Sequence, residues 1–341
     1  MKAFEIYFDG LYLAFVIFIG IRMLLLRNKN NLILGSMTLL LGLGDAFHLI
    51  PRMISHSMEN GFILNANALF FGTRISAITM SVFYLLFYIY ISKEIDNKNK
   101  SLDLLMGGLF IARLVGVFVS FNKSNSVNII ANTPFVLMGL LDIILLYKYR
   151  DRKDFKNLYI YVFFSFFFYL SVVLLKEAYP TVGMLMVPKT VMYVMIVVKL
   201  YSNIKGDFEK RSILEFAIAY LFTGILAGAV YRELGKIYPL AKPMALVHTH
   251  LIILGFVLPS IFYLLAKDSN LSKDKPEKLM RLYNFGIYFS LSGLFLHGLT
   301  DPYTYATFTK VGLISISGLG HILLTLSLIL TSKSFLKTVS E

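Results

Sequence analysis

The chain has 341 residues, of which 57% are hydrophobic, with a mean hydropathy of +0.70, a net charge of +13, no cysteine and no tryptophan. That composition excludes disulfides, thiolate metal sites and cysteine catalysis, and it is too apolar for a soluble domain. The positive charge sits in loops rather than on a folded surface, so the sequence gives no reason to expect a nucleic-acid partner.

Continuous apolar runs, without strand-like alternation, predict transmembrane helices. The segments fall near 10–26, 31–53, 66–92, 102–121, 128–147, 157–176, 181–200, 213–231, 243–266, 283–299 and 311–331. They predict an all-α polytopic membrane protein of about eleven spans. The first run follows Glu5 and Asp9 and lacks a small-residue cleavage site, so it is expected to stay as a helix. Tyr must supply the interfacial aromatic belt, since Trp is absent.

Basic residues are unevenly shared between alternate loops. Loops 27–30, 93–101, 148–156, 199–212 and 267–281, with the tail from Ser332, hold 21 Lys and Arg. The opposite set holds 8: Lys2, Arg52, Lys123, Lys176, Arg232, Lys236, Lys242 and Lys310. The bias predicts an external N-terminus and a cytoplasmic C-terminus, in a cell membrane of bacterial type. The polar stretch Ser202 to Ser212 reads as a linker between a seven-helix unit (1–201) and a four-helix bundle (213–341). Lys267 to Arg281 reads as an ordinary cytoplasmic loop. HLI recurs in AFHLIPRM and HTHLIILG, too short a match to indicate a repeat.

The few ionisable residues inside the spans matter most, because lipid cannot solvate them. In the N-terminal unit, Asp45 near the end of the second span, Arg74 in the third, Arg113 in the fourth and Lys189 in the seventh count to similar depth, roughly 12 Å from the outer edge, with His48 about five residues in. One carboxylate with three cations predicts a cationic pocket, Asp45 offsetting Arg74 and the surplus charge taking an anion: a phosphate or carboxylate group, a lipid headgroup, a quinone-type partner or haem propionates. The plainer alternative is that Arg113 and Lys189 snorkel or bond backbone carbonyls. Arg22, near the inner end of the first span, is expected to snorkel. Asp142 counts to the inner third of its span and joins neither group. Nothing in the sequence around Lys189 suggests a retinal lysine, and the absence of Trp argues against the usual ring-lined retinal pocket.

Four of the six histidines lie in the last three spans: His248 and His250 in LVHTHLIILGF, His297 in GLFLHGLTDP and His321 in GLGHILL. In an up-down bundle the ninth and eleventh spans stand diagonally, and His250 and His321 lie within about 5 Å of the same depth. Such a pair can ligate a haem iron on both axial sides. Gly255, Gly293, Gly298, Gly318 and Gly320 would let helices, or a flat macrocycle, come close. His248 and His250 point about 200° apart and cannot both ligate one centre, leaving one to bond elsewhere or to pair with His297. The plain alternative is four packing histidines hydrogen-bonded across the bundle.

The stretch from Phe208 to Leu336, with YREL, VHTHLIILG and SGLGH, resembles a four-helix bacterial membrane family known only as a domain of unknown function. Its H-x-H-L-x-x-x-G element is similar to the helix of haem-copper oxidase and nitric-oxide reductase catalytic subunits that carries a low-spin haem ligand. Taken with the depth-matched pair, that resemblance leads to the expectation of haem b among His248, His250, His297 and His321, with iron on His250 and His321. The oxidase copper pattern, one His followed by an adjacent His pair, is missing, which argues against a terminal oxidase. The sequence thus predicts a membrane haem protein for electron transfer or for redox or gas sensing. An intramembrane metal-dependent hydrolase using Asp45 and His48, and an anion or lipid carrier using Arg74, Arg113 and Lys189, are the alternatives. No P-loop, G-x-G-x-x-G or G-x-S-x-G motif occurs.

Overall fold

The computed structural model describes residues 2–120, 125–175, 178–267, 274–301 and 307–339. Lys123, Lys176 and part of the Lys267 to Arg281 loop lie outside the described residues. Among the described residues every regular element is a helix. In chain order these are α1 (Lys2–Leu24), α2 (Asn31–Ser57), α3 (Gly61–Leu64), α4 (Ala66–Glu94), α5 (Lys100–Val119), α6 (Asn125–Lys148) and α7 (Leu158–Leu175). A 3-10 turn (Pro180–Leu185) leads into α8 (Met186–Ile204). Then follow α9 (Lys210–Leu234), α10 (Lys242–His250), a π-helical stretch (Leu251–Val257), α11 (Leu258–Lys267), α12 (Asp274–Thr300) and α13 (Thr307–Val339).

Ten of the described helical segments are long and apolar enough to cross a membrane, α10 through α11 counting as one. The expected tenth span, 283–299, is the body of α12. It has the length but carries Asn284, Ser290, Ser292, His297 and Thr300 among its apolar residues. Packing shields those groups from lipid: Ser290, Ser292 and Thr300 are buried, Thr300 donates to the Leu296 carbonyl of its own helix, and Asn284 accepts from the Tyr220 hydroxyl at 2.9 Å. A helix wrapped by other helices does not need the all-round apolar surface that lipid demands.

The chain forms two compact units. One comprises Leu26–Pro51 and Ala66–Lys205; the other comprises Met1–Leu25, Arg52–Asn65 and Gly206–Glu341. The division falls inside the Ser202 to Ser212 linker, but α1 packs with the C-terminal helices rather than with the N-terminal set. Two charged contacts fix α1 there. Arg22, 2% exposed, pairs with Glu215 of α9 at 2.8 Å and lies over the Phe216 ring. Near the other end of α1, Glu5 takes Arg52 and, at 3.1 Å, His56. Arg22 therefore does not snorkel: a carboxylate on the adjacent helix meets it within the fold.

In this C-terminal unit α1 packs on α9 and α12, α10 packs on α9 and α12, and α9 also packs on the π-helical stretch and α11. These elements form a ring of four. The expected bundle contained α13 as its fourth member; in the structure α1 takes that place and α13 packs principally along α12. Small residues draw α12 and α13 together. A Cβ at Gly320 would strike the Ser290 backbone, and one at Gly293 would strike the Ser317 backbone. This close, small-residue contact is the usual way helices associate in lipid.

In the other unit α4, α5, α6, α7 and α8 pack in sequence, with a further α4–α6 contact. Phe83, Tyr84, Phe87, Tyr90, Phe135 and Phe166 make its buried aromatic core.

Candidate functional site

The histidine-bearing end of the C-terminal unit is organised by α12. Gly286, Ser290 and Gly293 receive α13, while Ile287, Leu291 and Leu294 join the core formed with α9 to α11. At roughly 100° per residue these two faces of α12 are about a quarter turn apart. α10 and α13 therefore pack on two different sides of α12, which also carries His297 and Asp301, 3.5 Å apart.

His250 lies about 90° round α10 from the buried row Met244, Val247 and Leu251, on the side away from α9. Right-handed winding turns that side toward the flank occupied by α13. His321 lies about 65° round α13 from the row that meets α12, on the side turned toward α10. Depth agrees as well. A Cβ at Gly298 would meet Met244, so His250, six residues further on, lies level with residue 292 of α12. His321 lies beside Ser290, at 3.4 Å. The two imidazoles are thus within about 3 Å of the same level.

Both rings are oriented in the same manner. Nδ1 of His250 bonds the Leu246 carbonyl at 2.8 Å, and Nδ1 of His321 bonds the Ser317 carbonyl at 2.7 Å. A ring whose Nδ1–H is held by a backbone carbonyl presents Nε2 as the basic nitrogen. The matched depth expected from sequence is present, but the geometry is not diagonal: the two helices stand on either flank of α12, because α1 occupies the bundle position expected for α13.

The other two histidines have separate surroundings. His248 faces α9, stacked 6.2 Å from Tyr231 and beside Gly228, with its Nδ1 buried and lacking a hydrogen-bond partner. His297 is paired with Asp301 rather than with His248. Of the five glycines expected to open space, Gly255, Gly293, Gly298 and Gly320 serve helix packing, whereas a Cβ at Gly318 would meet nothing.

The π-helical stretch begins immediately after His250, a feature the hydropathy pattern does not show. Its cause can be read from Pro259, which has no N–H to return to a carbonyl in the preceding turn. In an i to i+5 ladder the Leu254 carbonyl would look to residue 259 for its donor. The Tyr283 hydroxyl supplies that bond instead. Pro259 was the available sequence signal, and only the partner on α12 completes the account.

In the N-terminal unit the expected charged layer is dispersed. Arg74 donates to the carbonyls of Val117 and Ser120 at the end of α5, and lies over the Phe70 ring. Arg113 donates to the Ala131 carbonyl at 2.8 Å and lies over Phe135. Lys189 sits over the rings of Tyr169 and Tyr193, at 5.5 and 5.3 Å. Asp45 accepts from Ser76 at 2.7 Å and lies 4.0 Å from His48 Nδ1. Carbonyls at a helix C-terminus and aromatic faces are both favourable surroundings for a cation. Of the two cations in the plainer alternative, Arg113 bonds a backbone carbonyl and Lys189 lies over tyrosine rings; Arg74, expected beside Asp45, also bonds carbonyls. Among the described residues no group of three or more His, Asp or Glu is placed to hold a metal ion.

This is a polytopic helical membrane protein whose C-terminal unit carries His250 and His321 on two elements that both pack on α12. Residues 210–338 match a family described as a protein of unknown function (DUF2871). The C-terminal region is therefore similar to an uncharacterised family, as the sequence motifs suggested. No curated protein and no solved structure matches the chain.

Proposed function

We infer that the protein is a membrane haem protein, in a bacterial cytoplasmic membrane, serving electron transfer or redox or gas sensing. His250 and His321 would be the axial ligands. One observation carries this reading: two imidazoles at one level on either flank of α12, each with Nδ1 held by its own helix. Haem b bound there would supply a one-electron iron couple. The Leu246 and Ser317 carbonyls fix the tautomer and orientation of the two rings, and fixed imidazoles make stronger ligands. His297, paired with Asp301, lies about 7–10 Å along α12 from that level, beyond the reach of an axial position. The bonds made by Arg74 and Arg113 to carbonyls leave the N-terminal unit less suited to a quinone or anionic headgroup than its charge alone suggested.

Spectroscopy of the full chain, purified after growth with haem supplied, tests the reading. A Soret band with low-spin bis-histidine character is expected, lost in His250→Ala and in His321→Ala and kept in His297→Ala. Absence of the band from the unaltered chain, or its survival in both ligand variants, overturns it.

A further inference from the structure

Cations gather unevenly on the side of the N-terminal unit that the charge bias assigns to the cytoplasm. The end of α6 and the turn into α7 carry Lys148, Arg150, Arg152, Lys153 and Lys156 against two carboxylates, Asp151 and Asp154. Lys199 of α8 joins them. The α4–α5 turn on the same side answers its charges: Glu94 takes Lys29 at 3.0 Å, and Asp96 takes Lys98 at 3.5 Å. Among the described residues none of the six cations beside α6 forms an ion pair. Asp154 and Glu94 reach Lys199 and Arg152 only at longer range.

The α6–α7 turn is nevertheless firmly built. Phe155, at its centre, is 0% exposed and anchors it to the unit. The N–H groups of Phe155 and Lys156 both donate to the Arg152 carbonyl, at 3.0 and 3.1 Å, so residues 152–156 make one helical turn. Lys153 and Lys156, three apart and both exposed, share a side of it. Two side chains of α8 tie the turn down: the Lys199 ammonium donates to the Lys153 carbonyl and the Asn203 amide to the Asp154 carbonyl, each at 2.8 Å. The first tie adds a third ammonium to the turn. Charge bias by itself orients a chain in the membrane without any particular geometry. It does not account for like charges held together by bonds and left without carboxylates.

The tyrosines beside the turn set its depth. Tyr147, 53% exposed, meets Tyr159 edge-on at 5.4 Å. Arg150 lies 4.4 Å over the Tyr147 ring and donates to the Tyr147 carbonyl at 3.0 Å. Tyrosines of this kind sit at the headgroup level of a bilayer. Leu137, Leu140, Ile144 and Tyr147 form an exposed apolar stripe along α6 that ends at this point. A molecule that suits both features has a phosphate at the turn and hydrocarbon along the stripe.

We propose that the α6–α7 turn binds an anionic phospholipid of the adjoining leaflet. Its phosphate meets Arg150, Lys153, Lys156 and Lys199, and an acyl chain follows the exposed stripe of α6. Arg150 suits the phosphate because its planar fork can donate two bonds to it. Clusters of four to eight cations beside a membrane span recognise anionic headgroups in this way. The proposal is independent of haem.

The test uses the full chain in detergent micelles, titrated with dioleoyl phosphatidylglycerol or with dioleoyl phosphatidylcholine. Lipid retained through gel filtration is counted by mass spectrometry. Preferential retention of phosphatidylglycerol is expected. Arg150→Ala, Lys153→Ala and Lys156→Ala together, all on exposed side chains, should weaken it about a hundredfold, the scale of three lost surface cations. Lys153→Arg with Lys156→Arg should keep it. Lys29→Ala, Lys98→Ala and Lys100→Ala together remove equal charge from the paired turn and should change it less than about threefold. Equal retention of the two lipids, or equal loss in the two triple variants, overturns the proposal. So does full displacement of the lipid by inorganic phosphate but not by sodium chloride of equal ionic strength, which would mark a site for the free anion.

Discussion

In the C-terminal unit two imidazoles stand on helices packed against α12, each with Nδ1 held by its own backbone, and Ser290 Oγ lies 3.4 Å from Nε2 of His321. In the N-terminal unit the polar groups lie inside the packing along α4, with Tyr84 and Tyr88 hydrogen-bonded to neighbouring helices and Asp142 buried without a hydrogen-bond partner. The first arrangement orients its rings by bonds within a helix, the second by bonds between helices. Both meet the same demand, that ionisable groups in a membrane find partners or change their charge, by opposite means.

Substitutions can break that contrast at either end. The largest expected effect is at the seam of the C-terminal unit. Arg22→Ala takes from Glu215 its buried cation, leaving only the exposed Arg211 at 3.2 Å, and should cost about 3 kcal/mol, read as a loss of thermal stability in detergent. Arg22→Met combined with Glu215→Leu should recover most of that loss, since an apolar pair can replace a buried ion pair. Next comes the α12–α13 contact. Gly320→Leu forces the helices apart at Ser290 and should cost about 1–3 kcal/mol, while also moving His321 from the level of His250. Pigment content per folded protein should therefore fall further than stability does. Tyr283→Phe leaves the Leu254 carbonyl without a donor and should cost about 1–3 kcal/mol, weakening the π-helical stretch that follows His250. The smallest effect is expected at Asp142. Asp142→Leu removes an unpartnered buried polar group, so stability should stay within about 1 kcal/mol of wild type or rise, read by thermal unfolding in detergent. A strong destabilisation there would instead mark Asp142 as a structural group and erase the difference between the two units.

Much of this architecture could be read in the residues. The apolar runs placed the helices, and residue counts from the span ends put His250 and His321 at one level. Those features are local, since a helix rises about 1.5 Å per residue whatever surrounds it. Partners were not legible in the same way. The expected salt-bridged layer of Asp45, Arg74, Arg113 and Lys189 is spread among Ser76, the α5 and α6 carbonyls and two tyrosine rings. Asp142 fitted no sequence pattern because its neighbours, Tyr84 and Tyr88, lie more than fifty residues away. Their four-residue spacing on α4 was visible, yet tyrosines in an apolar span read equally well as core.

The sequence by itself determined that the protein is a bundle of membrane helices, and at what depth each ionisable residue sits, because hydropathy and helical rise act within a segment. Only the tertiary structure decided that α1 closes the C-terminal ring, that α13 lies outside it, and that α4 gathers the hydroxyls of its neighbours. Those outcomes depend on which surfaces fit, such as Gly320 against Ser290 or Arg22 against Glu215, and shape complementarity between distant segments leaves no periodic trace in the chain.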